Sequence, residues 1–138
     1  MSDAAPETLS VVVEREMPFP PEKIWRALTQ PNLIAEWLMT SDFKPERDHR
    51  FRFTADWGGV DCQVLEVEPM RTLAYSWGAM GVGTIVTWSL TPSDAGTHLR
   101  MEQSGFRNEA GQMRYYHGAR HGWQRFFDNL GQTLVGLD

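Results

Sequence analysis

Two histidines four residues apart, His117 and His121, have the spacing that would let one helix offer two ligands to a metal ion. A zinc site needs a third protein ligand, and the acidic residue of the zinc-protease pattern is missing, so the pair is read as part of a solvated face beside Gln124 and Asp128. The single cysteine, Cys62, excludes an internal disulfide and a multi-cysteine zinc site. A lone thiol is more often a small buried apolar group than a nucleophile. His98 alternates with Arg100 and Glu102 as a surface strand residue would, and His49 falls in a turn. No Gly-x-Ser-x-Gly elbow, phosphate loop or dinucleotide fingerprint is present. No catalytic set, metal or cofactor is therefore expected.

Arg120 is a more informative charge, because it interrupts an apolar stripe between Tyr116 and Trp123. The plainer reading is a stem that covers apolar surface while the guanidinium reaches water. The sharper one places Arg120 at the mouth of a cavity, where it pairs with a carboxylate or carbonyl of a ligand. Tyr75, Gln103 and Tyr116 could add a few polar groups to a pocket otherwise walled by Trp37, Phe53, Trp57, Trp77, Trp88, Met101, Phe106, Trp123 and Phe127. Each ring taken singly is better explained as core. Together they favour a cavity, since large rings on a curved surface rarely fill all the space beneath it.

The elements that must position these residues follow from periodicity. From Gly111 to Leu137, Met113, Tyr116, Arg120, Trp123, Phe127, Leu130 and Leu134 recur at alternating steps of three and four, which predicts one long amphipathic helix. Tyr115, Ala119 and Phe126 widen the stripe on one flank, and Arg114, His117, His121, Gln124, Asp128 and Gln132 fall on the wet side. At about 1.5 Å per residue, roughly 25 residues span nearly 40 Å, enough to cross a sheet. Leu9 to Met17 reads as a first strand, and two short helices follow, one led by Pro21 and broken at Gln30–Pro31, the other from Asn32 to about Leu38. Beyond Asp42 the period becomes two: Phe51, Phe53, Ala55 and Trp57 alternate with polar residues, and Gly58–Gly59 reads as a hairpin turn. Further strands follow across Pro69–Met70–Arg71, a glycine-rich loop from Gly78 to Gly83, and the turn from Pro92 to Gly96, for six or seven antiparallel strands in all. The fold class is α+β, a curved antiparallel sheet around a long C-terminal helix, with residues 1–8 as a disordered lead-in and 9–138 as a single domain.

Composition narrows the partners. A chain of 138 residues with 41% hydrophobic content can bury one core without staples. A formal net charge of −5 without a basic cluster argues against nucleic-acid binding. No apolar run reaches the roughly 18 residues of a membrane span, and the first eight residues lack signal-peptide character, so a cytoplasmic location is expected. Nothing in the residues sets an oligomeric state.

Glu14–Arg15, Pro20, Ile24–Trp25–Arg26–Ala27–Leu28–Thr29–Gln30–Pro31 and Trp37 resemble the opening of the Hsp90 ATPase activator homologue 1-like family. Arg50–Phe51–Arg52–Phe53, Glu66–Val67–Glu68–Pro69 with Leu73–Ala74–Tyr75–Ser76–Trp77, Gly96–Thr97–His98–Leu99 with Ser104–Gly105–Phe106, and Gly122–Trp123 continue the likeness in order over roughly residues 11–136. Where the family often has a glycine pair before the Arg–Phe–Arg–Phe run, this chain has Asp48–His49, residue types that tolerate turn geometry. The resemblance implies the helix-grip fold of the START-like, or Bet v 1-like, superfamily, also called SRPBCC.

That superfamily holds lipid and sterol carriers, polyketide cyclases and aromatases, hormone receptors and a co-chaperone domain, so fold does not fix function. The reading that best fits the residues is a small module enclosing a hydrophobic molecule, lipid-like or aromatic, between the C-terminal helix and the sheet. The alternatives are a cyclase- or aromatase-like enzyme, which needs inward polar groups within reach of one another, and a co-chaperone-like domain with a chaperone or other protein partner.

Overall fold

The computed structural model describes residues 8–79 and 81–137. The sequence's lead-in, up to position 7, lies outside them, and Thr8, assigned to that lead-in, opens the first strand instead. Strand β1 (Thr8–Met17) is followed by helices α1 (Pro21–Thr29) and α2 (Pro31–Trp37). Each helix carries proline in its first turn, where the missing N–H costs nothing. Strands β2 (Thr40–Ser41), β3 (Arg50–Ala55), β4 (Gly58–Glu68), β5 (Thr72–Ala79), β6 (Val82–Ser93) and β7 (Gly96–Arg107) come next, and helix α3 (Ala110–Val135) closes the chain. The seven strands form one antiparallel sheet in the order β1-β7-β6-β5-β4-β3-β2, which leaves β1 and β2 at its edges. This is the α+β helix-grip fold expected from periodicity.

Three local readings change. Gly58 and Gly59 are not the β3–β4 turn: they pair with Ala55 and Thr54, so Asp56 and Trp57 make the turn. Trp57 is thereby removed from the inward alternation of β3 and is 56% exposed. The glycine-rich segment is mostly strand, because Gly78 pairs with Gly83 and Ala79 with Val82, leaving only positions 80–81 between β5 and β6. The last hairpin is also tighter than its proline and glycine imply, with Ser93 paired to Gly96 across Asp94–Ala95. In contrast, Asp48 does adopt a left-handed φ of 69°, and its N–H donates to the Val64 carbonyl at 2.9 Å, so the turn before β3 is made without glycine.

The concave face of the sheet is the core. Alternation on β7 points Thr97, Leu99, Met101 and Gln103 inward, and strict period two would then point Gly105 inward. The pairing of β1 with β7 slips there: Leu9 meets Phe106 and Ser10 meets Ser104, so Gly105, at φ 102°, is the extra residue of a bulge. The bulge returns Phe106 to the buried face, under Tyr115 and Tyr116. At the centre sits Trp88, edge-on to Trp37 and Trp123 and stacked on Phe127. Burying such a ring removes ~150–250 Å² from water, worth roughly 4–6 kcal/mol at ~25 cal/mol per Å² before entropy is counted.

Helix α3 grips the sheet unevenly. From Trp123 onward it buries Trp123, Phe127, Leu130, Thr133 and Leu134. Between positions 111 and 122 no side chain is fully buried. Arg15 ties the lower half to the edge strand, donating to Asp128 Oδ1 at 2.7 Å and Gln124 Oε1 at 2.9 Å while lying over the Phe127 ring. The upper half therefore stands off the sheet and leaves a space on each flank.

Candidate functional site

On one flank the space is an apolar cavity of about 260 Å³. Its floor consists of buried residues: Trp77 and Ala79 from β5, Gln103 from β7, Met39 from the segment after α2, and Trp123 from α3. Its wall is the helix, which presents Tyr115, Gly118, Ala119, Gly122 and Phe126 at steps of three, one, three and four, one helical stripe. The rim includes Trp57, which the β3–β4 turn projects over the opening. The two glycines are informative, because a Cβ built on Gly118 or Gly122 would meet nothing within 4 Å. No close packing demands them, although each costs a helix interior roughly 1 kcal/mol relative to alanine. What they leave is room.

The polar atoms of this floor are joined in a chain. The Trp123 indole N–H donates to Gln103 Oε1 at 2.7 Å, and Gln103 Nε2 donates to the Thr84 hydroxyl at 2.9 Å. The Thr84 hydroxyl donates to the Trp77 carbonyl at 3.1 Å, and the Trp77 indole N–H donates to the Tyr115 hydroxyl at 2.8 Å. Gln103 is 1% exposed, so this pairing is what makes an amide tolerable in the core. Burial pushes the Tyr115 phenol above its ordinary value, with hydrogen bonds from Trp77 and Gln103 acting in the opposite sense. Among the described residues it is the only ionisable side chain lining the cavity, and it stays neutral at pH 7.

On the other flank lies a polar groove between the open edge of β1 and the helix, lined by Ser10, Val12, Tyr116, His117, Arg120, His121 and Gln124. Steps of three along a helix rotate by about 60° in net terms, so Arg120 and Phe126 flank Trp123 on opposite sides. Arg120 thus faces β1 and is exposed, away from the cavity mouth at which the sequence placed it. Both histidines are exposed there as well, and among the described residues no cluster of three His, Cys, Asp or Glu could hold a metal.

The thirteen residues singled out from sequence separate into three places. Trp57, Trp77, Gln103 and Trp123 come together around the cavity. Trp37, Phe53, Tyr75, Trp88, Met101, Phe106 and Phe127 are core, packed on one another. Tyr116 and Arg120 belong to the β1 groove. Tyr75 is wholly enclosed, accepts the Trp88 indole N–H at 3.0 Å, and is pushed far above the usual tyrosine range by burial. Cys62 is buried, and desolvation raises its thiol well above the ordinary value, which leaves it unreactive. Met39, Ala79, Tyr115, Gly118, Ala119, Gly122 and Phe126 line the cavity without having been singled out. The signal for the helical ones was present, since two glycines and an alanine share a stripe with two aromatic rings.

Comparison with known proteins agrees with the fold. The structure resembles that of MLL2253 from Mesorhizobium loti with a TM-score of 0.89 and 54% identity, covering 94% of this chain and 99% of that one. BH1534 from Bacillus halodurans matches at TM-score 0.81 and 25% identity over 91% of this chain and 96% of its own. DynU16, from the dynemicin biosynthetic locus, matches at TM-score 0.81 and 25% identity over 91% of this chain, which spans 47% of DynU16. No curated protein matches. No helix among the described residues is long and apolar enough to cross a membrane. The model of the family described as Activator of Hsp90 ATPase homolog 1-like protein matches residues 18–135. With its motifs, its helix-grip fold and that match in agreement, the chain belongs to the Activator of Hsp90 ATPase homolog 1-like family of the START-like superfamily.

Proposed function

We propose that the protein is a small-molecule binding module that holds a hydrophobic, aromatic or lipid-like molecule between the upper half of α3 and strands β5 and β7. The observation that carries this reading is the apolar cavity with a glycine-lined wall. Its size, about 260 Å³, lies just below the roughly 300–1,000 Å³ usual for ligand sites, so the guest is small or projects past Trp57. Enclosure by Trp77, Trp123 and Phe126 gives ring faces for stacking. Binding is favoured over acid–base catalysis because the cavity lining among the described residues offers one ionisable group, a phenol that burial keeps neutral. A cyclase-like reaction would need a base at that wall, and the histidines that could serve lie on the opposite flank.

Tryptophan fluorescence titration with small polycyclic aromatics tests the reading. Saturable quenching is expected in the wild type and its loss in Ala119→Trp, which fills the cavity from a half-exposed helix position. Arg120→Ala is expected to bind as the wild type does. Absence of quenching in the wild type, or equal quenching in Ala119→Trp, would overturn the assignment.

A further inference from the structure

The hydrogen-bond chain beneath the cavity can be read donor by donor. An indole N–H only donates, so the Trp123 contact fixes the Gln103 atom facing it as the carbonyl oxygen and sets the amide orientation. The Gln103 nitrogen is then the atom that meets Thr84, whose oxygen accepts and whose hydrogen goes to the Trp77 carbonyl. The Trp77 indole, again donor only, makes the Tyr115 oxygen an acceptor. The second hydrogen of the Gln103 amide turns to the Tyr115 oxygen, which thus accepts from Gln103 as well as from Trp77. Among the described residues both polar partners of Tyr115, Trp77 and Gln103, donate to its oxygen, which leaves the phenolic hydrogen without an acceptor. Because the phenol oxygen accepts from Trp77 and Gln103, its hydrogen turns away from both, and Tyr115 lines the cavity.

Resting on the binding reading above, we propose that Tyr115 is the polar anchor of the cavity and that the guest is a flat, uncharged, apolar molecule carrying one acceptor oxygen, such as an aromatic ketone. The donor set accounts for the acceptor. The polar atoms of the floor are already engaged and the Trp57 indole stands at the water-exposed rim, which accounts for the lack of further polar groups, since a second donor or a charge on the enclosed part of the guest would be buried without a partner. The open strip over Gly118 and Gly122 accounts for flatness, because the guest's ring can lie directly on the helix backbone where a side chain would otherwise stand. Raising the phenol's ionisation keeps the hydrogen in place at physiological pH.

The test compares two molecules of one shape, 2-acetylnaphthalene and 2-isopropenylnaphthalene, in which C=O is replaced by C=CH2. Affinities are measured by tryptophan quenching for the wild type and Tyr115→Phe. The ratio of ketone to alkene affinity is expected to fall by about three- to tenfold in the variant. A ratio within one variant cancels changes in cavity shape. Should Tyr115→Phe fail to fold, the infrared carbonyl stretch of the ketone bound to the wild type decides, with a shift to lower wavenumber than in hexane expected. A hexane-like stretch, or a ratio unchanged by the substitution, overturns the anchor while leaving the cavity as a binding site. If neither molecule binds the wild type, the binding reading falls and the anchor falls with it.

Discussion

The Trp77 indole N–H donates to the Tyr115 hydroxyl at 2.8 Å, and this bond, with the Phe106 ring under Tyr115 and Tyr116, joins the sheet to the half of α3 that carries no fully buried side chain. In Tyr115→Phe the Trp77 N–H, on a residue 4% exposed, loses its acceptor. A loss of ~1–3 kcal/mol in urea unfolding is expected, the cost of an unmade buried hydrogen bond. A change below about 0.5 kcal/mol would show that water replaces the hydroxyl.

Gly118→Ala and Gly122→Ala test whether stability has been given up for space. A Cβ at either position meets nothing within 4 Å, so each substitution should stabilise the helix by roughly 0.5–1 kcal/mol. The same methyl groups project onto the cavity, so the affinity for polycyclic aromatics should fall as the midpoint of unfolding rises. Opposite movement of the two quantities is the expected signature, and parallel movement would contradict it.

Trp88 and Trp123 touch each other but differ in what lies beyond them. Trp88 is surrounded by Trp37, Trp123 and Phe127, whereas Trp123 has the cavity on one side. Trp88→Ala should cost ~4–5 kcal/mol, the upper part of the range for such truncations, and Trp123→Ala nearer 3. Denaturant unfolding of the two variants gives the order directly.

On the convex face, His98 donates through one ring nitrogen to Glu16 at 2.6 Å and through the other to Glu14 at 2.8 Å, bridging the edge strand β1 to β7. Both carboxylates raise the imidazole above its ordinary 6.5, the hydrogen bond to Glu14 being the largest cause. Glu16 is lowered from 4.5, first by the Ser93 hydroxyl and then by His98. A raised histidine contributes stability that is fully present below pH 6.5 and lost as pH rises through its folded-state value. A lowered glutamate contributes stability present above pH 4.5 and lost as pH falls through its own. The cluster should therefore stabilise most between about pH 4.5 and 6.5. The groups are exposed, so the effect is small. His98→Gln should lower the unfolding midpoint more at pH 5.5 than at pH 8.5, and an equal effect at both would mean that the charged bridge adds nothing to stability.

The fold was legible because period two and the three-four spacing each survive almost unbroken, from Phe51 to Gln103 and from Met113 to Leu134. The site was less legible because the single stripe that periodicity gives α3 borders two different spaces. Trp123, Phe127, Leu130 and Leu134 do share the core, but above Trp123 the helix leaves the sheet, and residues on either side of the stripe meet different spaces. Phe126 and Tyr115 turn to the cavity, Tyr116 and Arg120 to the β1 edge. No periodicity encodes where a helix parts from its sheet. Trp57 shows a second limit, since its alternation with Phe51 and Phe53 held until a two-residue turn intervened. The rings of Trp37, Trp88 and Phe127 look as suited to a cavity as Trp77 does, and only their mutual packing makes them core.

The six indole N–H groups provide the most direct test of a cavity between α3, β5 and β7, because Trp57, Trp77 and Trp123 line it while Trp25, Trp37 and Trp88 do not. In a ¹H–¹⁵N titration with 2-acetylnaphthalene, the account predicts saturable shifts of the Trp57, Trp77 and Trp123 signals with the other three nearly unmoved. Shifts confined to Trp25, Trp37 or Trp88, or a spectrum unchanged at the solubility limit of the ketone, would contradict it.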